Sequence, residues 1–348
     1  MKVPAYAAPA ARAPLGPFTI DRREPGPDDV QLEILFCGIC HSDVHQARDE
    51  WRNGMFPMVP GHEIIGRVTR GGRGVTKFKL GDLAGVGCMV DSCGKCEPCH
   101  RGTEQFCSQG SAFTYNSTEM DRTTPTYGGY STHLVVRESF ALRIPAGMDP
   151  AGTAPLLCAG ITTYSPLRKW NVQPGQRVGV VGLGGLGHMG VKIAKSMGAD
   201  VTLFSTSASK KVDAQRLGAS HFVVTRDPEA LKAHSGKFDF LLDTVSAPHD
   251  VQAFLSLLRP GGAMVLVGLP SEPLQIGAFS LVAGNKQLAG SMIGGIPETQ
   301  EMLDHCGKHG IISDVEVVPM QKVNEAYDRL VRGDVKYRFV IDLESLKK

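Results

Sequence analysis

Long apolar runs are missing from this 348-residue chain. Stretches such as 178-VGVV-181 and 263-AMVLVGL-269 fall far short of the ~20 residues that a membrane-spanning helix needs, so no membrane span is expected. An excess of one charge is also missing. Lys+Arg number 37 against Asp+Glu 35, a formal charge of +2, which is not the balance of a nucleic-acid binder. The N-terminal stretch 1-MKVPAYAAPAARAPLGPF-18 lacks an unbroken apolar helix, because prolines at 4, 9 and 14 interrupt it. No export signal is read, and a soluble, cytoplasmic protein is expected. In a long chain without an export signal, the nine cysteines point to metal ligation or catalysis rather than to a disulfide framework. No internal repeat is evident.

What is present divides into two textures. At this length two domains are expected, since one hydrophobic core stops growing at about 250–300 residues. Up to about Leu142, short apolar runs such as 30-VQLEILFCG-38 and 134-LVV-136 alternate with Gly, Pro and Asp, the pattern of a β-rich domain with long loops. From about Pro155 to Gly290 strand and helix patterns alternate. They run 178-VGVVG-182, helix 186–198, strand 200–204, helix 208–218, strand 221–224, strand 238–245, helix 250–261 and strand 263–268. Such alternation builds a doubly wound parallel sheet. The tail carries helices at 297–310 and 322–333 and a strand at 337–342, and is expected to return to the first domain. The expected boundaries are 1–155, 156–290 and 291–348, with the active site in a cleft between the two domains.

Gly182, Gly184 and Gly187 have G-x-G-x-x-G spacing directly after a strand and at the opening of a helix. In this context the first glycine permits a tight turn and the second lets backbone approach a diphosphate. The third lets the helix pack on the sheet, with its N-terminus facing the anion. Gly185 and Leu186 complete the loop, and Gly268, after a later strand, is a further candidate contact to the cofactor. A cofactor lacking a 2′-phosphate usually meets an Asp or Glu at the end of the second strand. The segment 204-FSTSASKK-211 has none. Ser205, Thr206 and Ser207 offer hydroxyls and Lys210 offers a charge, which suits a 2′-phosphate, so NADP(H) is expected rather than NAD.

Cys93, Cys96, Cys99 and Cys107 form C-x2-C-x2-C-x7-C in a segment rich in Gly, Pro and charge. Four thiolates from one short loop can close a tetrahedral shell around a structural zinc ion. An iron–sulfur site, disulfides and a zinc ribbon on nucleic acid are the competing readings, and the near-neutral charge and the N-terminus weaken the last two. A second, dispersed group lies in 37-CGICHSDVH-45, 61-GHE-63 and 157-LCAGITTYSPL-167. Cys40, His62 and Cys158 could supply three ligands and leave a fourth position open, as catalytic zinc requires. Spacing alone does not select this trio. Single cysteines are usually small buried hydrophobes, the reading given to Cys37, Cys88 and Cys306. His100, His188 and His221 read as hydrogen-bonded core or surface residues.

The order of these segments resembles the zinc-dependent medium-chain alcohol dehydrogenases, in particular the cinnamyl-alcohol-dehydrogenase branch and its bacterial broad-specificity aldehyde reductases. The signature G-H-E-x2-G-x5-G-x2-V is carried by Gly61, His62, Glu63, Gly66, Gly72 and Val75, and CGICHSD, LLCAGITTYSPL, GLGGLGH and 334-DVKYRFVID-342 follow in family order. The resemblance covers essentially the whole chain. It implies an α/β protein with a β-rich GroES-like catalytic domain and a Rossmann cofactor domain, and it selects Cys40, His62 and Cys158 as catalytic-zinc ligands, giving two zinc ions per chain. It also implies Glu63 as an acid that can approach the metal, Asp43 as the carboxylate orienting the ligating imidazole, and Ser42 and His45 as a proton-relay pair. His41 and Arg338 would reach the cofactor diphosphate and Thr162 would pack on the nicotinamide. Trp51, Met55, Phe56, Tyr115, Met292 and Ile293 would wall the substrate pocket.

The implied activity is hydride transfer between NADP(H) and a small aldehyde or primary alcohol, with an aromatic or medium aliphatic aldehyde favoured by the apolar pocket walls. Polyol or secondary-alcohol oxidation, zincless quinone reduction and a non-catalytic zinc and nucleotide-binding protein are the alternatives. Retained zinc ligands oppose the quinone reductase, and Ser42, His45 and Glu63 oppose the non-catalytic protein. The resemblance also implies a homodimer or homotetramer.

Overall fold

The computed structural model describes residues 1–270 and 272–347. They form two compact units, one of residues 1–158 with those from 294 onward, the other Ala159–Ile293. The first contains Cys158 as well as every other candidate metal ligand.

In the first unit the strand Asp29–Ile39 organises a seven-stranded sheet. It is buried along nearly its full length because it pairs antiparallel with three neighbours, Ile64–Gly71, His133–Arg137 and Arg338–Asp342. Leu32, Ile34, Ile39, Ile64, Ile65, Leu134 and Phe339 are fully buried around it. Each such side chain contributes about 1.5–3 kcal/mol by leaving water. The register also places the chemistry. Cys37 pairs with both Ile64 and Ile341, and Ile39 pairs with Phe339. Cys40, the pair His62–Glu63 and Arg338 therefore leave three adjacent strands at the same end of the sheet.

The second unit is a six-stranded parallel sheet in the order His221–Val224, Asp200–Ser205, Arg177–Val181, Phe238–Asp243, Leu258–Leu266, Gln287–Gly290. The chain steps outward one way from Arg177–Val181 and then outward the other way, the doubly wound order whose reversal point opens a crevice at the carboxyl ends of the strands. Phe204 packs edge-on against Phe238 and Phe254, with ring centroids 5.3 and 5.8 Å apart, at the centre of its core.

Two elements depart from the sequence expectation. The helix expected over 208–218 opens as a 3-10 turn, Ala208–Lys210, before the α-helix Lys211–Leu217, because the serines bond locally: the Ser207 amide donates to Ser205 Oγ. The strand expected from Ala263 begins at Leu258, which pairs with Phe238 before the register jumps to Phe240 and Ala263. Arg259, Pro260, Gly261 and Gly262 bulge out between the two pairings. No helix is long and apolar enough to cross a membrane among the described residues.

Candidate active site and metal centres

Cys40 follows the last residue of its strand and caps the short helix His41–Ala47. Asp43, in the first turn of that helix, is fully buried and its carboxylate gathers the surrounding backbone. Oδ2 accepts the Cys40 amide at 2.8 Å, and Oδ1 accepts the Gly61 amide at 3.1 Å. Oδ1 also lies 3.1 Å from His62 Nδ1, and the Tyr130 hydroxyl donates to Oδ2 at 3.5 Å. Facing a carboxylate, Nδ1 carries a ring proton, which leaves Nε2 as the nitrogen that a metal would take. Burial opposes a charged imidazole here, but Asp43 outweighs it and holds the His62 pKa well above the usual histidine range.

Cys158 Sγ lies 4.0 Å from Cys40 Sγ. A hydrogen bond from Cys158 pulls the Cys40 thiol down despite burial, and the same bond pushes the Cys158 thiol up. Donor atoms of Cys40, His62, Glu63 and Cys158 all lie within 4.8 Å of one another. Glu63 is fully buried and ion-paired with Arg338, whose guanidinium also donates to the Ile39 carbonyl at 3.0 Å. Burial pushes the Glu63 carboxyl up to about 8, against the pull of Arg338. Its Oε2 has no hydrogen-bond partner and lies over Gly38, where a Cβ would come within 1.9 Å of it. Only glycine at 38 leaves room for that carboxylate.

The four-cysteine lobe is a separate cluster. Sulfur separations are 3.9 Å for Cys93–Cys99, 3.4 Å for Cys96–Cys99 and 3.9 Å for Cys96–Cys107. Backbone amides of Lys95 and Ser108 donate to Cys93 and Cys96 sulfurs at 3.5 and 3.4 Å. Backbone amide bonds, led by that of Cys99, bring the Cys96 thiol down to about 6. Two sulfurs each ~2.3 Å from a tetrahedral ion sit ~3.8 Å apart, so both clusters fit zinc. The lobe offers four sulfurs and no open position, and the first cluster offers two sulfurs, one imidazole and a carboxylate with a free oxygen.

In the second unit each loop glycine meets a distinct steric demand. Gly182 has φ +91°, and a Cβ there would lie 2.8 Å from Val245. Gly184 caps the helix Gly185–Ser196, is exposed, and has nothing within 4 Å of a built Cβ, so the backbone is open to a ligand. A Cβ on Gly187 would fall 2.1 Å from the Gly182 carbonyl oxygen. Leu186 follows at the helix opening, and a Cβ on Gly268 would fall 2.3 Å from the Val245 carbonyl oxygen. At the end of Asp200–Ser205, Ser205 is buried, Thr206 is exposed, and Ser207 Oγ lies 2.8 Å from Ser209 Oγ. Lys210 Nζ donates to the Leu183 carbonyl at 2.7 Å, which holds the charge over the glycine turn. Thr162 is buried in the helix Ala159–Lys169.

The remaining expected residues have diverse surroundings. Ser42 Oγ lies 3.7 Å from Cys40 Sγ. His45 Nδ1 meets Glu50 at 2.5 Å and its ring lies 5.3 Å from that of Trp51. His41 is exposed, whereas Arg338, expected at the cofactor diphosphate, is buried against Glu63. Tyr115, expected as a pocket wall, stacks on His62 with centroids 5.7 Å apart. Trp51, Met55 and Met292 are exposed, and Phe56 and Ile293 are half-buried. Cys88 corrects a sequence reading. It is half-buried rather than packed in the core, and a hydrogen bond with Cys158 lowers its thiol pKa. Sequence reasoning also missed Tyr130 and Tyr327, whose hydroxyls lie 3.4 Å apart, with Tyr130 reaching Asp43. Nothing in their spacing marks them.

A β-rich unit with two thiol-rich metal clusters and a doubly wound unit with a dinucleotide turn define a zinc- and nucleotide-dependent dehydrogenase. Residues 26–146 match the alcohol dehydrogenase GroES-like domain and residues 185–308 the zinc-binding dehydrogenase domain. The chain is 53% identical to aldehyde reductase YahK of Escherichia coli K12 over 99% of both chains. The structure of a cinnamyl alcohol dehydrogenase from Sorghum bicolor superposes with TM-score 0.96 at 46% identity, over 99% of this chain and 98% of that one. A Helicobacter pylori cinnamyl alcohol dehydrogenase complexed with NADP(H) gives TM-score 0.92 at 42% identity over 99% of both. The chain belongs to the zinc-binding alcohol dehydrogenase family.

Proposed function

We propose that this protein reduces small aromatic or medium aliphatic aldehydes with NADPH, and oxidises the corresponding primary alcohols in reverse. The observation that carries the reading is the convergence of Cys40, His62, Glu63 and Cys158 within 4.8 Å. It is the donor set of a zinc site that keeps a position for substrate. When bound, zinc is a Lewis acid toward the carbonyl oxygen and NADPH supplies the hydride. Cys93, Cys96, Cys99 and Cys107 hold the second, structural zinc.

The protein's own residues prepare the rest. Asp43 fixes the proton on His62 Nδ1, so the ligand atom is Nε2. Arg338 balances the buried Glu63 carboxylate. Ser42 relays a proton beside Cys40, and His45, steadied by Glu50 and Trp51, exchanges it with water. Gly182, Gly184, Gly185, Leu186 and Gly187 receive the diphosphate with help from His41. Ser205, Thr206, Ser207 and Lys210 take the 2′-phosphate, Thr162 and Gly268 border the nicotinamide half, and the six apolar wall residues set substrate preference. The absence of a carboxylate over residues 205–211 and the NADP(H) complex of the Helicobacter relative support the cofactor choice.

The test is cofactor consumption over aromatic, aliphatic and polyhydroxylated carbonyls. Turnover of benzaldehyde-like substrates with NADPH far above NADH is expected, and preference for a polyhydroxylated carbonyl with NADH contradicts the reading. We further assign a cytoplasmic homodimer or homotetramer. Gln287–Gly290 ends its sheet, and Leu269, Phe279 and Val282 are exposed in the same unit. A single-chain mass by light scattering contradicts the oligomer.

A further inference from the structure

At the carboxyl end of Phe238–Asp243, beside the glycine turn, lies a pair, one member buried and the other half-buried, that the proposed chemistry does not use. Asp243 is 1% and His249 14% exposed at their side chains. Asp243 Oδ1 accepts the Val245 amide at 3.0 Å, and Oδ2 lies 2.8 Å from His249 Nε2. His249 Nδ1 lies 2.9 Å from the Ala247 carbonyl oxygen. Both ring nitrogens thus face acceptors. A neutral imidazole can donate only once, so the geometry is that of an imidazolium clamped to a carboxylate.

The clamp closes the loop 244–250 on itself, and that loop is wedged against the diphosphate turn. Thr244 Oγ1 donates to the Val181 carbonyl at 2.8 Å, and Cβ atoms built on Gly182 and Gly268 would collide with Val245. We propose that His249 is a positioning residue for the dinucleotide: its imidazolium holds loop 244–250 against the glycine turn and cancels the Asp243 charge, so that cofactor affinity depends on its protonation. This rests on the reading of the turn as a dinucleotide site.

The sign follows from the charges. Loss of the proton frees one hydrogen bond and leaves a carboxylate uncompensated near a site for an anionic diphosphate, so affinity falls as pH rises. The groups facing His249 favour its charged form. Besides Asp243 this is Asp250, next in the chain; the cavity of about 760 Å³ that His249 lines also carries Glu272, and no lysine or arginine lines it among the described residues. The ring of Phe254 packs edge-on at 6.0 Å. The hydrogen bond to Asp243, against partial burial, holds the His249 pKa above the usual histidine range. Deprotonation is therefore displaced to higher pH than in a free histidine.

The test is calorimetric titration of the zinc-loaded full chain with NADPH from pH 7 to 9, a window in which a phosphate monoester with second pKa ~6 is already dianionic. The parent protein is expected to lose affinity by roughly three- to tenfold across the window, tenfold corresponding to a midpoint displaced by one pH unit on binding. His249→Gln should bind weakly and without pH dependence. Asp243→Asn combined with His249→Gln removes both charges and should regain affinity, still without pH dependence, which a purely structural role does not provide. A flat profile in the parent, or the same break in His249→Gln, overturns the proposal while leaving the cofactor reading intact. Failure of NADPH to bind at pH 7 overturns both.

Discussion

Asp43→Asn isolates the residue on which the catalytic cluster depends without touching a metal ligand. Its two carboxylate oxygens accept the Cys40 amide, the Gly61 amide, the His62 Nδ1 proton and the Tyr130 hydroxyl, at 2.8, 3.1, 3.1 and 3.5 Å. An asparagine has one acceptor oxygen and one amino group. If its oxygen stays toward Gly61 and His62, the amino group meets the Cys40 amide, donor against donor; the opposite orientation sets it against two donors at once. The first is the lesser evil and leaves one buried amide unpaired, at about 1–3 kcal/mol. Because that amide belongs to a ligand residue and His62 also loses its charged partner, the cost falls on metal binding, about 5–150-fold at room temperature. A positioning carboxylate behind a zinc histidine usually accounts for about 10–100-fold. Competition with a chromogenic chelator measures it, and the four-cysteine lobe, which makes no contact with Asp43, is the internal control. The labile zinc should leave at lower chelator concentration and the second zinc as before. Unchanged affinity at the labile site, with the fold intact by circular dichroism, would refute the reasoning.

Elemental analysis should find two zinc ions per chain; Cys40→Ala should lose one of them with all activity while staying folded, and Cys96→Ala should lose the other. Lys210→Ala should weaken NADPH binding by about 1–3 kcal/mol, the scale of a charge-assisted hydrogen bond, and leave NADH nearly unchanged. Equal losses for both cofactors would contradict the 2′-phosphate role. Ser42→Ala should remove most turnover while retaining both zincs, and His45→Gln should cost about 10–100-fold and shift the pH profile of turnover. Unaltered pH profiles in both variants would sink the relay and leave the zinc site standing.

Features set by local sterics or short spacing were legible in the sequence. The three loop glycines serve the turn, the open backbone and the helix packing that their spacing implies, because each role is dictated within a few residues. The four-cysteine lobe was legible for the same reason. Contacts closed by tertiary pairing were not. Tyr115 reaches His62 and Tyr130 reaches Asp43 across dozens of residues, and no periodicity marks either. Arg338 turns toward Glu63 because antiparallel pairing brings its strand beside Asp29–Ile39. Cys88 looked like packing because the sequence does not reveal that its thiol reaches the Leu157 carbonyl, next to Cys158. The paired acceptors around His249 likewise need the loop's three-dimensional path to be seen.

The most direct test of the account couples metal occupancy at Cys40, His62 and Cys158 to hydride transfer. Chelator is used to withdraw the labile zinc from the purified protein, and NADPH consumption with an aromatic aldehyde is followed as zinc is returned. The account predicts that activity disappears with the loss of one zinc per chain and returns in proportion as that one equivalent is restored. Aldehyde turnover that persists in protein holding only the lobe zinc would contradict it.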